Sequence, residues 1–109
     1  MNLDAHPNVH CVGAFDGEKL VGFAQLFVLP KTTFTMSHLE DVIVHPEYRN
    51  QGIGKRLVEE AISLAKQKGV SVVNLTTREE RKDAVALFEY FGFARPGNMT
   101  LRLVLEPEA

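Results

Sequence analysis

The apolar pattern of this chain changes period once, and the change falls on a short polar turn. Up to Val44 the apolar residues come in strand-like blocks. From Ile53 onward, Ile53, Leu57, Val58, Ala61, Ile62 and Ala65 recur at spacings of three and four, the stripe of a helix that buries one face. Glu59, Glu60, Lys66 and Lys68 fall mostly off that stripe. Pro46 removes a ladder donor and ends the strand before the turn, and Gly69 offers a left-handed stop after the helix. Val70–Leu75 (VSVVNL) then reads as a short buried strand. A strand, a helix and a second strand in this order close as a right-handed crossover with the strands parallel.

The flanking segments fill in the rest. His10–Phe15 reads as a strand, Asp16-Gly17 as a tight turn, and Leu20–Leu29 (LVGFAQLFVL) as the returning strand ended by Pro30. His38–Val44 (HLEDVIV) is the strand that enters the central turn. Thr77-Arg78-Glu79-Glu80 fits a capping box, so a second helix is expected from near Arg78, carrying Ala84, Val85, Leu87, Phe88 and Phe91 inward and stopping at Gly92. Met99–Leu105 (MTLRLVL) alternates as a last strand would. The expected architecture is α/β (α+β): a mixed, mostly antiparallel sheet with one β-α-β crossover and helices packed on it. At 109 residues the chain fits a single domain, 1–109.

Composition narrows the function. A net charge of -2 gives no global attraction to nucleic acid, and scattered phenylalanines without a basic stripe make no base-stacking platform. No apolar run approaches the ~20 residues that span a bilayer, and the polar, proline-broken first nine residues do not form a signal peptide. Cys11 is the single cysteine, which excludes an internal disulfide and suits a reducing cytoplasm. His6, His10, His38 and His45 form no ligand-spaced pair on a helix face, so no metal site is expected.

The turn Arg49-Asn50-Gln51-Gly52-Ile53-Gly54 is the most informative segment. A helix start leaves backbone N–H groups unpaired and carries partial positive charge, which suits an anion. Gly52 and Gly54 keep side chains away from those amides, and Arg49 and Lys55 add charge on either side. Two glycines alone fit a closely packed helix start equally well. A Walker loop is ruled out because Lys55 is followed by Arg56, and a dinucleotide fingerprint because Leu57 stands where its third glycine belongs.

Arg49-x-x-Gly52-x-Gly54, preceded by Leu39-Glu40-Asp41-Val42-Ile43-Val44-His45-Pro46-Glu47-Tyr48, resembles the coenzyme A motif of the GNAT superfamily of acetyltransferases. Arg81-x-Asp83-Ala84-x-x-Leu87-Phe88-x-x-x-Gly92-Phe93 is similar to the later helix signature of that family, and the likeness spans roughly residues 10–105. The resemblance implies a GNAT fold, here lacking the usual N-terminal strand and helices, and acetyl-CoA as cofactor. It implies that the backbone of Val42, Ile43 and Val44 pairs with the pantetheine arm, and that amides from Asn50, Gln51, Gly52, Ile53, Gly54 and Lys55, with Arg49 alongside, hold the pyrophosphate. It points to Glu40 as the catalytic group, in the place where relatives often carry an acidic residue. A primary amine of pKa ~10 must lose a proton before it attacks, and a carboxylate is a fitting acceptor. Asp41 should face the other side of a regular strand. The N–H of Val42 or of Ile43 would steady a developing oxyanion.

Two positions depart from the family pattern. Phe88 stands where many relatives carry a tyrosine that protonates the leaving thiolate, and Tyr90, two residues on, points well around the helix. Arg81 stands where many have asparagine. With only about nine residues before the first strand, the acceptor side should be open, and a homodimer through a sheet edge or through Met99–Leu105 would close it. The expected reaction moves an acetyl group from acetyl-CoA to a primary amine of a small molecule by direct attack in a ternary complex. The stretch Leu39–Tyr48 also looks similar to glucosamine-phosphate acetyltransferases. Acetylation of a protein N-terminus or lysine, and a non-catalytic acyl-CoA-binding module, remain open beside it.

Overall fold

The computed structural model of the chain describes residues 6–106. Strands β1 (Val9–Asp16), β2 (Lys19–Pro30) and β3 (Thr35–Val44) form an antiparallel meander. A short 3-10 turn, Pro46–Tyr48, leads to helix α1 (Ile53–Gln67), strand β4 (Val72–Leu75) and helix α2 (Lys82–Tyr90). The sheet order is β1-β2-β3-β4, with β4 parallel to β3, as the change of period requires. Gly17, at φ +62°, supplies the left-handed residue that turns β1 into β2.

Helix α1 lies across one face of the sheet. Its Leu57, Val58 and Ala61 pack on Ala24 of β2 and Leu39 of β3, and Ala65 packs on Leu26 and Val28. Ile53 and Ile62 flank the same stripe, as do Leu87, Phe88, Phe91 and Phe93 from α2 and the chain after it. Among the described residues, no helix is long and apolar enough to cross a membrane.

Two expected features are absent. Helix α2 begins at Lys82 with Arg81 as an N-cap that makes no side-chain bond, so the capping box at Thr77 does not form. Glu79, next to the Glu80 that such a box would use, pairs with Arg95 at 2.7 Å, and the Thr77 hydroxyl is buried without a hydrogen-bond partner among the described residues. Met99–Leu105 is not a strand, and its Met99, Leu101, Leu103 and Leu105 are all more than 80% exposed. Alternation gives a segment an apolar face, but a strand also needs a neighbour for its backbone bonds, and this one has none among the described residues.

Burial therefore ranks the leucines. Leu26→Ala is expected to cost about 2–5 kcal/mol, read as a lower urea midpoint. Leu103→Ala should stay within about 0.5 kcal/mol of the parent chain.

Candidate active site

The site lies where the parallel strands part. β3 and β4 pair only from Met36↔Val72 to Leu39↔Leu75, while β3 runs on to Val44. Buried Ser37 pins the paired stretch by donating its hydroxyl to the Val72 carbonyl at 3.0 Å. Beyond Leu39, the edge of β3 that turns away from β2 has no strand beside it among the described residues.

Strand direction shows which groups face that opening. The His45 N–H bonds to the Val21 carbonyl on β2 at 2.7 Å, and the Ile43 carbonyl lies toward Gly22 on the same strand. With a period of two, Ile43 turns its backbone groups to β2, and Val42 and Val44 turn theirs to the fork. Val42 is therefore the better placed of the two amides considered as oxyanion donors. Its side chain and that of Val44 pack on the helix side, while Ile43 is exposed on the opposite face.

A bulge sets this arrangement. Gln25 pairs with Glu40 and Phe23 with Ile43, so Asp41 and Val42 together oppose the single residue Ala24. Asp41 takes a left-handed φ of +54°. Regular alternation would send its carboxylate toward the helix side beside buried Leu39; the extra residue leaves Asp41 exposed. Glu40 is the first residue beyond the fork, and its carboxylate meets His38 Nε2 at 3.0 Å.

The turn closes the other end of the opening. Asn50 (φ +63°) and Gly52 (φ +80°) are both left-handed, and Gly52 caps α1 with no side-chain bond. The first helical bond runs from the Arg56 N–H to the Gly52 carbonyl, so the amides of Ile53, Gly54 and Lys55 have no partner inside the helix. A Cβ on Gly52 would meet nothing within 4 Å, so glycine is needed there for its backbone angle. A Cβ on Gly54 would lie 3.8 Å from Val44 Cγ2 and 3.9 Å from Leu87 Cδ2, so this glycine leaves room between the end of β3 and α2.

Several charged and aromatic side chains brace the turn itself. Arg49 donates Nε–H to the Val44 carbonyl at 3.2 Å. His45 Nδ1 accepts from the Glu47 amide, and its ring meets Tyr48 edge-on. Tyr48 donates to Asp16 Oδ2 at 2.7 Å, tying the turn to the tip of the β1–β2 hairpin. That hydrogen bond to a carboxylate holds the phenol above its usual range, with smaller contributions from desolvation and from the charges of Asp16 and Glu47. Lys55 places Nζ 4.3 Å from the Tyr90 ring centre. Phe88 packs edge-on to Phe93 within the core cluster, and Tyr90 is 67% exposed.

A reading of the sequence alone passes over His38, the bulge and the Tyr48–Asp16 tether. Only the first left a signal, the His38-x-Glu40 spacing that sets two polar residues on one face of a strand.

A forked sheet edge runs up to a helix start whose first amides have no partner within the helix, a shape that suits an extended ligand ending in an anion. A profile of the acetyltransferase (GNAT) family matches residues 2–93. The chain is 37% identical over 93 residues to N-alpha-acetyltransferase RimI of Mycobacterium tuberculosis, covering 85% of this chain and 57% of that protein. It is 35% identical over 78 residues to glucosamine 6-phosphate N-acetyltransferase of Trypanosoma brucei brucei, covering 69% and 51%. A crystal structure of a transcriptional regulator from Bacillus halodurans C-125 superposes with a TM-score of 0.81 at 33% identity, covering 93% of this chain and 69% of that one. The chain belongs to the GNAT acetyltransferase family and has its fold. It spans about half the length of the curated relatives it matches.

The two glycines should respond in opposite directions. Gly52→Ala forces a side chain into a left-handed conformation and should lose about 1–2 kcal/mol. Gly54→Ala has room in the first helical turn and should gain up to about 1 kcal/mol. Thermal denaturation of the two variants checks the signs.

Proposed function

We propose that the chain carries an N-acetyltransferase site that moves the acetyl group of acetyl-CoA to a primary amine of a small molecule, by direct attack in a ternary complex. One observation carries the reading: the unpaired amides of Ile53, Gly54 and Lys55 open where the free edge of β3 ends. The residues present fit the cofactor. The edge at Val42, Ile43 and Val44 is long enough for an extended arm, and Asn50 and Gln51 with the first helical amides offer donors to a diphosphate. Gly54 leaves space beside them, and Arg49 and Lys55 supply positive charge at the turn. Bound acetyl-CoA would supply the acetyl group as a reactive thioester.

The remaining work falls to the chain. Glu40, exposed at the fork, takes the proton of the incoming ammonium, and the Val42 N–H faces the place where negative charge gathers. Phe88 has no proton to offer, and Tyr90, two residues on, points around the helix to the surface, so water or the substrate protonates the departing group or the thiolate leaves unaided. The relative that acts on glucosamine 6-phosphate supports a small-molecule acceptor; the one named an N-alpha-acetyltransferase supports a peptide amine as the second reading. The free edge of β4 and the apolar, exposed Met99–Leu105 further support a homodimer, for which light scattering at micromolar concentration gives the mass.

The test is acetyl-CoA with a panel of amines (amino sugars, polyamines, amino acids and short peptides), read as released thiol. Amine-dependent release is expected, and Glu40→Gln should lower it about 100-fold or more with coenzyme A affinity unchanged. Tight coenzyme A binding with no release from any amine would make the chain a binding module. A bulky residue in place of Gly52, where an added side chain enters open space, should weaken coenzyme A by calorimetry at temperatures where the variant stays folded, and unaltered affinity there would contradict the placement of the diphosphate.

Phe88→Tyr returns a phenol to the helix and should raise turnover at neutral pH. A folded, cofactor-binding variant with the same or a lower rate would show that no proton is needed from this position.

A further inference from the structure

We infer that His38 is a positioning residue for Glu40, fixing one carboxylate oxygen so that the other is presented to the acceptor amine; the inference rests on the proposed acetyl transfer. The two residues stand two apart on β3, on the face of the sheet opposite α1, with Nε2 and Oε1 3.0 Å apart. His38 lies within the stretch of β3 that β4 still pairs, opposite Asn74, whereas Glu40 lies just past it. One partner is thus held by strands on both sides, and the other reaches the opening.

Among the described residues, the neighbours of this pair across the sheet carry no charge. Across β2, His38 faces Phe27 and Glu40 faces Gln25, and across β4 His38 faces Asn74; none of these titrates. Gln25 in turn donates to Cys11 Sγ on β1 at 3.7 Å. On β3 itself the next charged side chain is Asp41, displaced by the bulge. The histidine side chain is 31% exposed and the glutamate 46%, so the glutamate is the more open to a ligand.

The geometry defines the step. His38 Nε2 lies 3.0 Å from Glu40 Oε1, close enough for the ring to hold that oxygen of the carboxylate in place. An N–H bond of the acceptor ammonium breaks, its electron pair stays on nitrogen, and the proton bonds to Oε2 of Glu40, from which it passes to solvent.

The test compares the parent chain with His38→Ala and His38→Gln, using acetyl-CoA and whichever amine of the panel is accepted. His38→Ala should lower kcat about tenfold with the KM for acetyl-CoA unchanged. His38→Gln keeps a neutral N–H donor near the Nε2 position, so it should restore most of that loss. In nitrogen-15 spectra, Glu40→Gln should move the ring nitrogens of His38 and leave those of His45 in place. A chain that turns over equally well with alanine at position 38 overturns this inference alone. Parent protein that releases no thiol with any amine overturns the acetyl-transfer reading and this inference with it. A His38 ring unmoved by Glu40→Gln overturns the pairing whatever the kinetics.

Discussion

The parting of β3 from β4 is the constraint on which the rest of the architecture depends. Parallel strands normally satisfy each other's backbone along their length, and a buried edge left unpaired is costly. Here the ladder stops after four residue pairs while β3 continues to Val44. That arrangement holds because the paired stretch is locked. Ser37 bridges to the Val72 carbonyl, and the Ser71 amide bonds to the Thr35 carbonyl. On the other side, β2 pairs with β3 from Thr35 to Val44. The strand is rigid where it must be and open only along one edge, so its spare backbone groups keep fixed positions.

The turn follows the same logic with side chains. Arg49, His45, Tyr48 and Lys55 all lie where a ligand-centred reading would direct them outward. In the structure each has a contact within the chain: with the Val44 carbonyl, the Glu47 amide, Asp16 and Tyr90. These are surface contacts of small individual worth. Together they fix the turn without a ligand, so the proposed diphosphate would meet amides that carry no further cost of ordering.

Much of this was legible in the residues. The shift from strand blocks to a three-and-four stripe located the crossover, and the buried members of α1, Leu57, Val58, Ala61 and Ala65, are all on the expected stripe. The misses share a cause. The Thr77 capping box and the Met99–Leu105 strand each obeyed a local rule that depends on a neighbour the sequence does not specify. Helix α2 starts only at Lys82, too far past Thr77 for that hydroxyl to cap it, and no strand stands beside the tail among the described residues. The Asp41 bulge was hidden for the opposite reason: aspartate adopts a left-handed φ more readily than most residues, yet nothing in Leu39-Glu40-Asp41-Val42 marks where the register slips.

That slip makes β3 count in parity. Before Asp41, odd positions such as Ser37 and Leu39 face the helices; after it, even positions such as Val42 and Val44 do. A single-residue deletion at Asp41 would leave every other strand residue unchanged in identity. It would restore unbroken alternation, with Leu39, Val42 and Val44 turned to the helices and Glu40 still at the mouth of the fork. β3 can thus shorten by one residue at this point without turning any side chain to the other face, which no regular position of a strand allows.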